Sequence, residues 1–460
     1  QINLISLNSN NNRSISNIYL LSIKEKIMQR VSNSFKLVQA GRLIDGKGGA
    51  VTENGAILIK DNVIESVGHR NNIKAPEGSV SDTFDYPNMT IMPGMIDCHT
   101  HNNGFGDGRN GIDLNKLPDE ILTLQSAKNA RSSLFTGVTT IRENGPKNVT
   151  MFKLRDAINQ GISIGPRMVL CGRPVSIIGG HMGYFGSEAT GPTEVRATTR
   201  QLIKEGADYI KITATGGSTP TSFPFRPSFN LDELEAITEE AHKFGKLTAT
   251  HCLSSQGIIN SLDANVDMII HCFHKDATGN SKFRADIAER LHKQETFVNP
   301  TLHVGRAKYW KLLYEKELRH LSPKEEKSID DDRRTFDTSI DHSSRMIEMG
   351  VTLITGSDSS WGDYKLGNTV YEAECLVMAG LSPMQAIMSV TSNAAKALDV
   401  QQSVGTIEPG KLADLIVLDG DPSKNIEDLW KVSEIFFNGK KIHNSSESSL
   451  LNLRQPRAAT

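Results

Sequence analysis

The chain has 460 residues, 38% of them hydrophobic, and a formal net charge of -2 at pH 7. That length suits one large domain plus a smaller one, each with its own core, and so small a charge gives no reason to expect nucleic acid or an anionic membrane as partner. Five cysteines without regular spacing form no disulfide framework and point to a reducing, cytoplasmic setting. No run approaches the ~18 apolar residues that a membrane span requires, so the default substrate is a small molecule or a peptide.

Residues 1–33 are rich in Asn and Ser and lack the apolar core of a secretory signal. They read as a disordered leader, an extension ahead of the true start, or a poorly packed arm, with Met28 a candidate start. From 34 to 92 the pattern is short strands and turns, FKLVQAGRLIDG, AILIKDNVIESVG and TIMPG, and it returns near the other end in KLADLIVLDGDP and VSEIFFNGKKI. The two ends predict one small β-sandwich domain built from residues 34–92 and 403–447, followed by a tail at 448–460.

The middle, residues 93–402, alternates strand with helix. Eight strands are predicted: MIDCHTH (95–101), GVTTIRE (137–143), RMVLCGRPV (167–175), DYIKIT (208–213), KLTATHC (246–252), DMIIHC (267–272), TFVNPT (296–301) and VTLITGSD (351–358). Asn230 with Glu233 forms a capping-box pattern before LEAITEEAHKFG, and Ser382-Pro383 opens a helix through MQAIMSVTSNAAKAL. Such alternation predicts a TIM-type (β/α)8 barrel, whose chemistry belongs at the carboxyl ends of the strands. Added helices over the barrel mouth are expected from Lys308 to His342, as a lid or a solvated face.

Six residues fall at those strand ends and could hold two cations: His99, His101, Lys211, His251, His271 and Asp358. His99 and His101 are two apart, so a strand places both imidazoles on one face and turns Cys98 and Thr100 away. The same alternation is expected to send Cys98, Cys252 and Cys272 into the layer between strands and helices. Lys211 lies between Ile210 and Ile212, so if the isoleucines face the outer helices the lysine points into the barrel. Burial pushes an unpaired ammonium toward the neutral amine. Such an amine can take up carbon dioxide, giving a carbamate able to bridge two cations.

RLIDG, PGMIDCHTH, KIT, TSNAAKALDV and GTIEPGKLADLIVLDGDP together resemble the amidohydrolase superfamily over most of the chain. The nearer resemblance is to its branch with a carboxylated lysine on the fourth strand, which includes Xaa-Pro and Xaa-Arg dipeptidases and ochratoxinase. The resemblance implies that His99 and His101 hold the more buried of two divalent ions, expected to be zinc, and His251 and His271 the more exposed one. It also implies that Lys211 bridges and that Asp358 binds the buried ion and shuttles a proton. His181, in IIGGHMG, matches a position where a histidine helps bind the carbonyl or the tetrahedral oxyanion. Hydrolysis of an amide C–N bond follows, in an N-acyl amino acid, a dipeptide or an ochratoxin-like amide.

Specificity departs from the branch. Where its dipeptidases place a tyrosine two residues after the fifth-strand histidine, this chain has Leu253, which donates no hydrogen bond and favours a more apolar amide. Arg142, Arg226 and His303 are candidate substrate contacts, while Phe223, Phe225 and Phe229 wall an apolar pocket or pack on one another in a surface loop. An aryl urea, a cyclic amide, a lactone or a phosphotriester could use the same site. A non-catalytic assembly protein would have lost ligands that are all present. A homo-oligomer is expected.

Overall fold

A computed structural model describes residues 34–442 except 78, 80, 361 and 363. The expected leader at 1–33, the tail at 448–460 and residues 443–447 of the predicted β-domain lie outside the described residues. The β-sandwich domain is a seven-stranded sheet, made of β1 (Phe35–Leu43), β2 (Thr52–Lys60), β3 (Val63–His69), β4 (Ser81–Pro93), β12 (Leu415–Leu418), β13 (Val432–Phe437) and β14 (Lys440–Ile442). Its order, β14-β13-β12-β4-β1-β2-β3, interleaves the two ends of the chain. Alternation along β2 sends Ile57 and Ile59 to one apolar cluster with Val38, Ile91 and Val417, and Ala56 and Leu58 to another with Phe35 and Ile73. Both faces of the sheet are thereby buried at the centre of β2.

β4 runs straight into the barrel through Pro93 and Gly94. A Cβ on Gly94 would lie 2.2 Å from Thr139 Oγ1, so only glycine lets the two units pack this closely. The barrel strands are β5 (Met95–Thr100), β6 (Val138–Glu143), β7 (Arg167–Leu170), β8 (Ile210–Ile212), β9 (Thr248–Ser254), β10 (Met268–Lys275) and β11 (Phe297–Asn299). They form parallel sheets ordered β5-β6-β7 and β8-β9-β10-β11. Val175 joins the two by donating to Lys211 O at 2.8 Å and accepting from Thr213 N–H at 3.0 Å.

The eighth strand corrects the sequence expectation. Residues 351–358 do not form a regular strand; Leu353 makes one isolated parallel bridge to Val298. Backbone bonds nevertheless close the ring here, from Val298 N–H to Thr352 O, from Ile354 N–H to Val298 O, from Cys98 N–H to Thr355 O and from Asp358 N–H to His99 O. The single segment ITGSDSS interrupts the ladder, and within it Asp358 takes a left-handed backbone, φ 55°.

A second correction concerns the helix after Ser382. It is two helices, Pro383–Ser389 and Ser392–Ala397, separated at Thr391 with φ -133 and ψ -94. The barrel takes the carbonyls that a continuous helix would need: Ser389 O accepts from Thr355 N–H at 3.1 Å and Val390 O from Ile96 N–H at 2.8 Å. The helix Leu231–Lys243 has the expected Asn230–Glu233 capping box. Between Lys308 and His342 the expected helices are present as Leu302–Leu318 and Pro323–Glu348, packed on each other. Among the described residues no helix is long and apolar enough to cross a membrane.

Candidate metal centre

Plain strand alternation does not by itself bring the histidines to the barrel mouth. Ile96 and Cys98 belong to the apolar cluster inside the barrel, with Val169, Tyr209, Ala249 and Ile270, so the next residue should face outward. The register instead runs from Asp97↔Ile141 to Thr100↔Glu143, leaving Cys98 and His99 opposite the single Arg142. This bulge turns His99 inward beside Cys98. The expectation that Cys98 lies between strands and helices is therefore corrected, whereas Cys252 and Cys272 do pack in that outer layer with Ile258 and Met346. β10 shows a second irregularity: His271 and Cys272 both have positive φ, 69° and 54°, and pairing with β9 skips from His271↔Cys252 to Lys275↔Ser254.

The result is a tight convergence. His99 Nε2 lies 3.2 Å from His101 Nε2 and 3.2 Å from Asp358 Oδ1, which is 3.1 Å from His101 Nε2. Bonds of about 2.0–2.1 Å to one tetrahedral cation would set neighbouring donors about 3.3 Å apart. The His271 ring lies 5.6 Å from that of His99 and 4.6 Å from that of His251, which is 4.5 Å from that of His181. Lys211, with 1% exposure, lines the same cavity of about 470 Å³.

Three of the rings have their orientation set from behind. His99 Nδ1 is 3.1 Å from Asn299 Oδ1, and Asn299 Nδ2 donates to Ile354 O and Gly356 O, which fixes the amide with its oxygen toward the imidazole. His251 Nε2–H donates to Gly216 O at 3.0 Å, and His271 Nδ1 is 2.7 Å from Thr301 Oγ1. An imidazole donating one N–H to an oxygen keeps its lone pair on the other nitrogen, the arrangement behind metal-binding histidines. The donor set thus fits divalent cations. Asn299 and Thr301 were missed in the sequence, where they look like any polar residues of the seventh strand.

Burial dominates the electrostatics. It holds the His99 and His251 imidazoles well below their usual range and lowers His271 to about 4 and His181 to about 3, so these rings are neutral near pH 7. It brings Lys211 down to about 8. Burial works against ionisation of Asp358, yet the His101 hydrogen bond and nearby positive groups keep its carboxyl below the usual range.

The remaining sequence candidates are not all brought to the cavity. His181 and Leu253 line it. Arg142 lies inside the barrel, donating to Cys98 O and Met268 Sδ, and does not line it. Arg226 is exposed and stacks over the Phe223 ring at 5.1 Å, and Phe229 is core, so the three phenylalanines do not form one wall. His303 is fully buried, stacked on Tyr371 at 4.6 Å. Unforeseen in the sequence as cavity lining is the helix face Val304, Ala307, Lys308 and Lys311, whose apolar members are buried or half-buried and whose lysines are exposed, as is Arg109.

The amidohydrolase family pattern matches residues 90–442. The chain belongs to the amidohydrolase family. Among curated proteins it is similar to ochratoxinase from Aspergillus niger, 26% identical over 444 residues, covering 87% of this chain and 86% of that protein. Among solved structures it is similar to a Xaa-Pro dipeptidase with bound methionine in the active site, at 28% identity and a TM-score of 0.75, covering 89% of this chain and all of that one. The Aspergillus niger ochratoxinase structure shares the fold, with a TM-score of 0.75 at 24% identity over 92% of this chain and 99% of that one. As an amidohydrolase the chain is a hydrolytic enzyme acting on carbon–nitrogen bonds, in a family that generally uses divalent metals.

A Cβ on Gly217 would lie 2.6 Å from the His181 ring. Gly217→Ala is therefore expected to push that imidazole off its place beside His251 in an otherwise folded protein, seen as a displaced ring in a crystal structure of the variant.

Proposed function

We propose that this enzyme hydrolyses the amide bond of an N-acyl amino acid or a dipeptide-like molecule, using the barrel of residues 93–402 as its catalytic unit. The observation that carries this reading is the meeting of His99, His101, Asp358, His251, His271 and Lys211 in one cavity at the barrel mouth. His99, His101 and Asp358 would hold one divalent ion, expected to be zinc, and His251 and His271 a second. Bound there, the ions lower the pKa of a water toward neutrality and polarise the scissile carbonyl.

The chain's own groups do the rest. Lys211, buried and brought toward neutrality, would add its amine to carbon dioxide and lose a proton, becoming a carbamate whose two oxygens could serve both ions. Asp358 takes the proton of the attacking water and returns it to the departing nitrogen. Its position is held by its own N–H on His99 O and by Tyr364, whose hydroxyl donates to Asp358 O at 3.0 Å. His181 Nδ1 lies 3.1 Å from Thr219 Oγ1, which accepts from Met182 N–H. A threonine hydroxyl donated to Nδ1 leaves Nε2–H free to stabilise the developing oxyanion. Leu253, Phe273, Val304 and Ala307 give the cavity an apolar middle for an acyl or aryl group, and exposed Lys308 suits a carboxylate. Amide substrates are favoured over ureas, lactones and phosphotriesters by the ochratoxinase and dipeptidase likenesses. Five buried free thiols suit the cytoplasm, and a homo-oligomer remains part of this reading.

Lys211→Ala should lower turnover at least about a hundredfold, and acetate or propionate should restore part of it; activity untouched by the replacement would remove the carbamate. Lys308→Ala should raise KM about five- to tenfold for carboxylate-bearing amides with kcat little changed, measured against a neutral amide of the same length. Screening zinc-loaded protein against N-acyl amino acids and dipeptides tests the whole reading, and turnover of aryl ureas or esters alone would overturn the amide assignment.

A further inference from the structure

The helix Leu302–Leu318, which walls the cavity, begins in an unusual way. Thr301 occupies the N-cap position, where a threonine hydroxyl ordinarily accepts from a backbone N–H of the first turn. Here Thr301 is left-handed, at φ 50 and ψ 44, and makes no side-chain cap bond. Its Oγ1 lies instead 2.7 Å from His271 Nδ1. The first N–H groups of a helix still need acceptors, and at this start they are cut off from water, since Leu302 is 2% exposed and His303 not at all.

The acceptor comes from elsewhere in the chain. Glu372, fully buried on the helix Val370–Met378, takes the Leu302 N–H on one carboxylate oxygen at 2.8 Å and the His303 N–H on the other at 2.7 Å. The two helices are tied again one turn further on, where Arg306 donates to Tyr371 O at 2.9 Å and lies 3.3 Å from Glu374. A buried carboxylate is costly unless its oxygens are occupied, and these two bonds occupy both.

We propose that Glu372 is a positioning residue for the metal centre: it supplies the helix cap that Thr301 would otherwise give, and so frees the Thr301 hydroxyl to hold His271 at Nδ1 with Nε2 facing the cavity. This rests on the metal reading above. A cap on Thr301's own side chain would draw its hydroxyl back along the helix start, and His271, whose backbone is left-handed, would lose the partner that sets its ring. Arg306 and the surrounding apolar side chains would hold the helix in place even then, so the loss would fall on the imidazole rather than on the fold.

The test uses Glu372→Gln, which keeps the size but offers one acceptor oxygen and turns an amino group on the second N–H. Glu372→Asp, one methylene shorter, serves if the glutamine variant does not fold. Zinc titration of metal-free protein should show the more weakly held equivalent bound ten- to a hundredfold less tightly, the range found when partners behind metal-binding histidines are removed. Nitrogen-15 NMR of the metal-free protein should show His271 as the single tautomer protonated at Nδ1 in the native chain and as a mixture in the variant. Added to Thr301→Val, the same substitution should weaken zinc binding less than threefold further, because its route runs through that hydroxyl.

A folded variant with native zinc affinity and a single His271 tautomer, changed only in thermal midpoint, would make Glu372 a plain helix cap and overturn the inference. A full additional loss in the Thr301→Val background would overturn it too. If the native chain bound no divalent ion, the metal reading would fail, whereas the His271 tautomers of metal-free native and variant protein would still decide whether Glu372 sets that ring.

Discussion

Gathering four imidazoles, an amine and a carboxylate in a buried barrel mouth is the constraint around which this molecule is organised. Each group lost water on entering, and burial is the largest cause that holds the His99 and His251 imidazoles well below their usual range and brings Lys211 down to about 8. Neutral rings do not repel one another, and their lone pairs are free for a cation.

Orientation comes from oxygens behind the rings. Asn299, Gly216 and Thr301 each face one ring nitrogen, and two of those three sit at the end of the seventh strand. The seventh strand therefore serves the centre without contributing a ligand to it. Asn299 is itself pinned by Ile354 O and Gly356 O, in the irregular segment that also carries Asp358. Side chain, strand end and loop form one connected set of bonds, so the interrupted eighth strand is part of how the site is held.

The barrel supplies rigidity and the irregularities supply aim. Regular pleating would have sent His99 outward beside Asp97, and it would have done the same to His271 beside Ile269. A bulge in β5 and left-handed residues in β10 turn both back toward the axis. The apolar layer below, from Ile96 and Cys98 through Tyr209, Ala249 and Ile270, packs the barrel beneath the site, and the cavity lies above it at the mouth.

Much of this was legible in the order of residues. Strand and helix alternated with periods clear enough to give the barrel and the sheet drawn from both ends, and HTH, KIT and the single histidines of the fifth and sixth strands marked the strand ends. Those signals are local, since each depends on the spacing of neighbours along one element. Cys98, the eighth strand and the helix split at Thr391 were misread because a neighbouring strand decided them, through a register shift or a carbonyl captured from outside. Arg142 ended beneath the cavity, and Lys308, Asn299 and Glu372 went unnoticed, for the same reason. Residue order determined which groups the enzyme owns and which strand carries each; only the tertiary structure decided where they point and what holds them, because bulges, borrowed caps and ring partners are contacts between segments far apart in the chain.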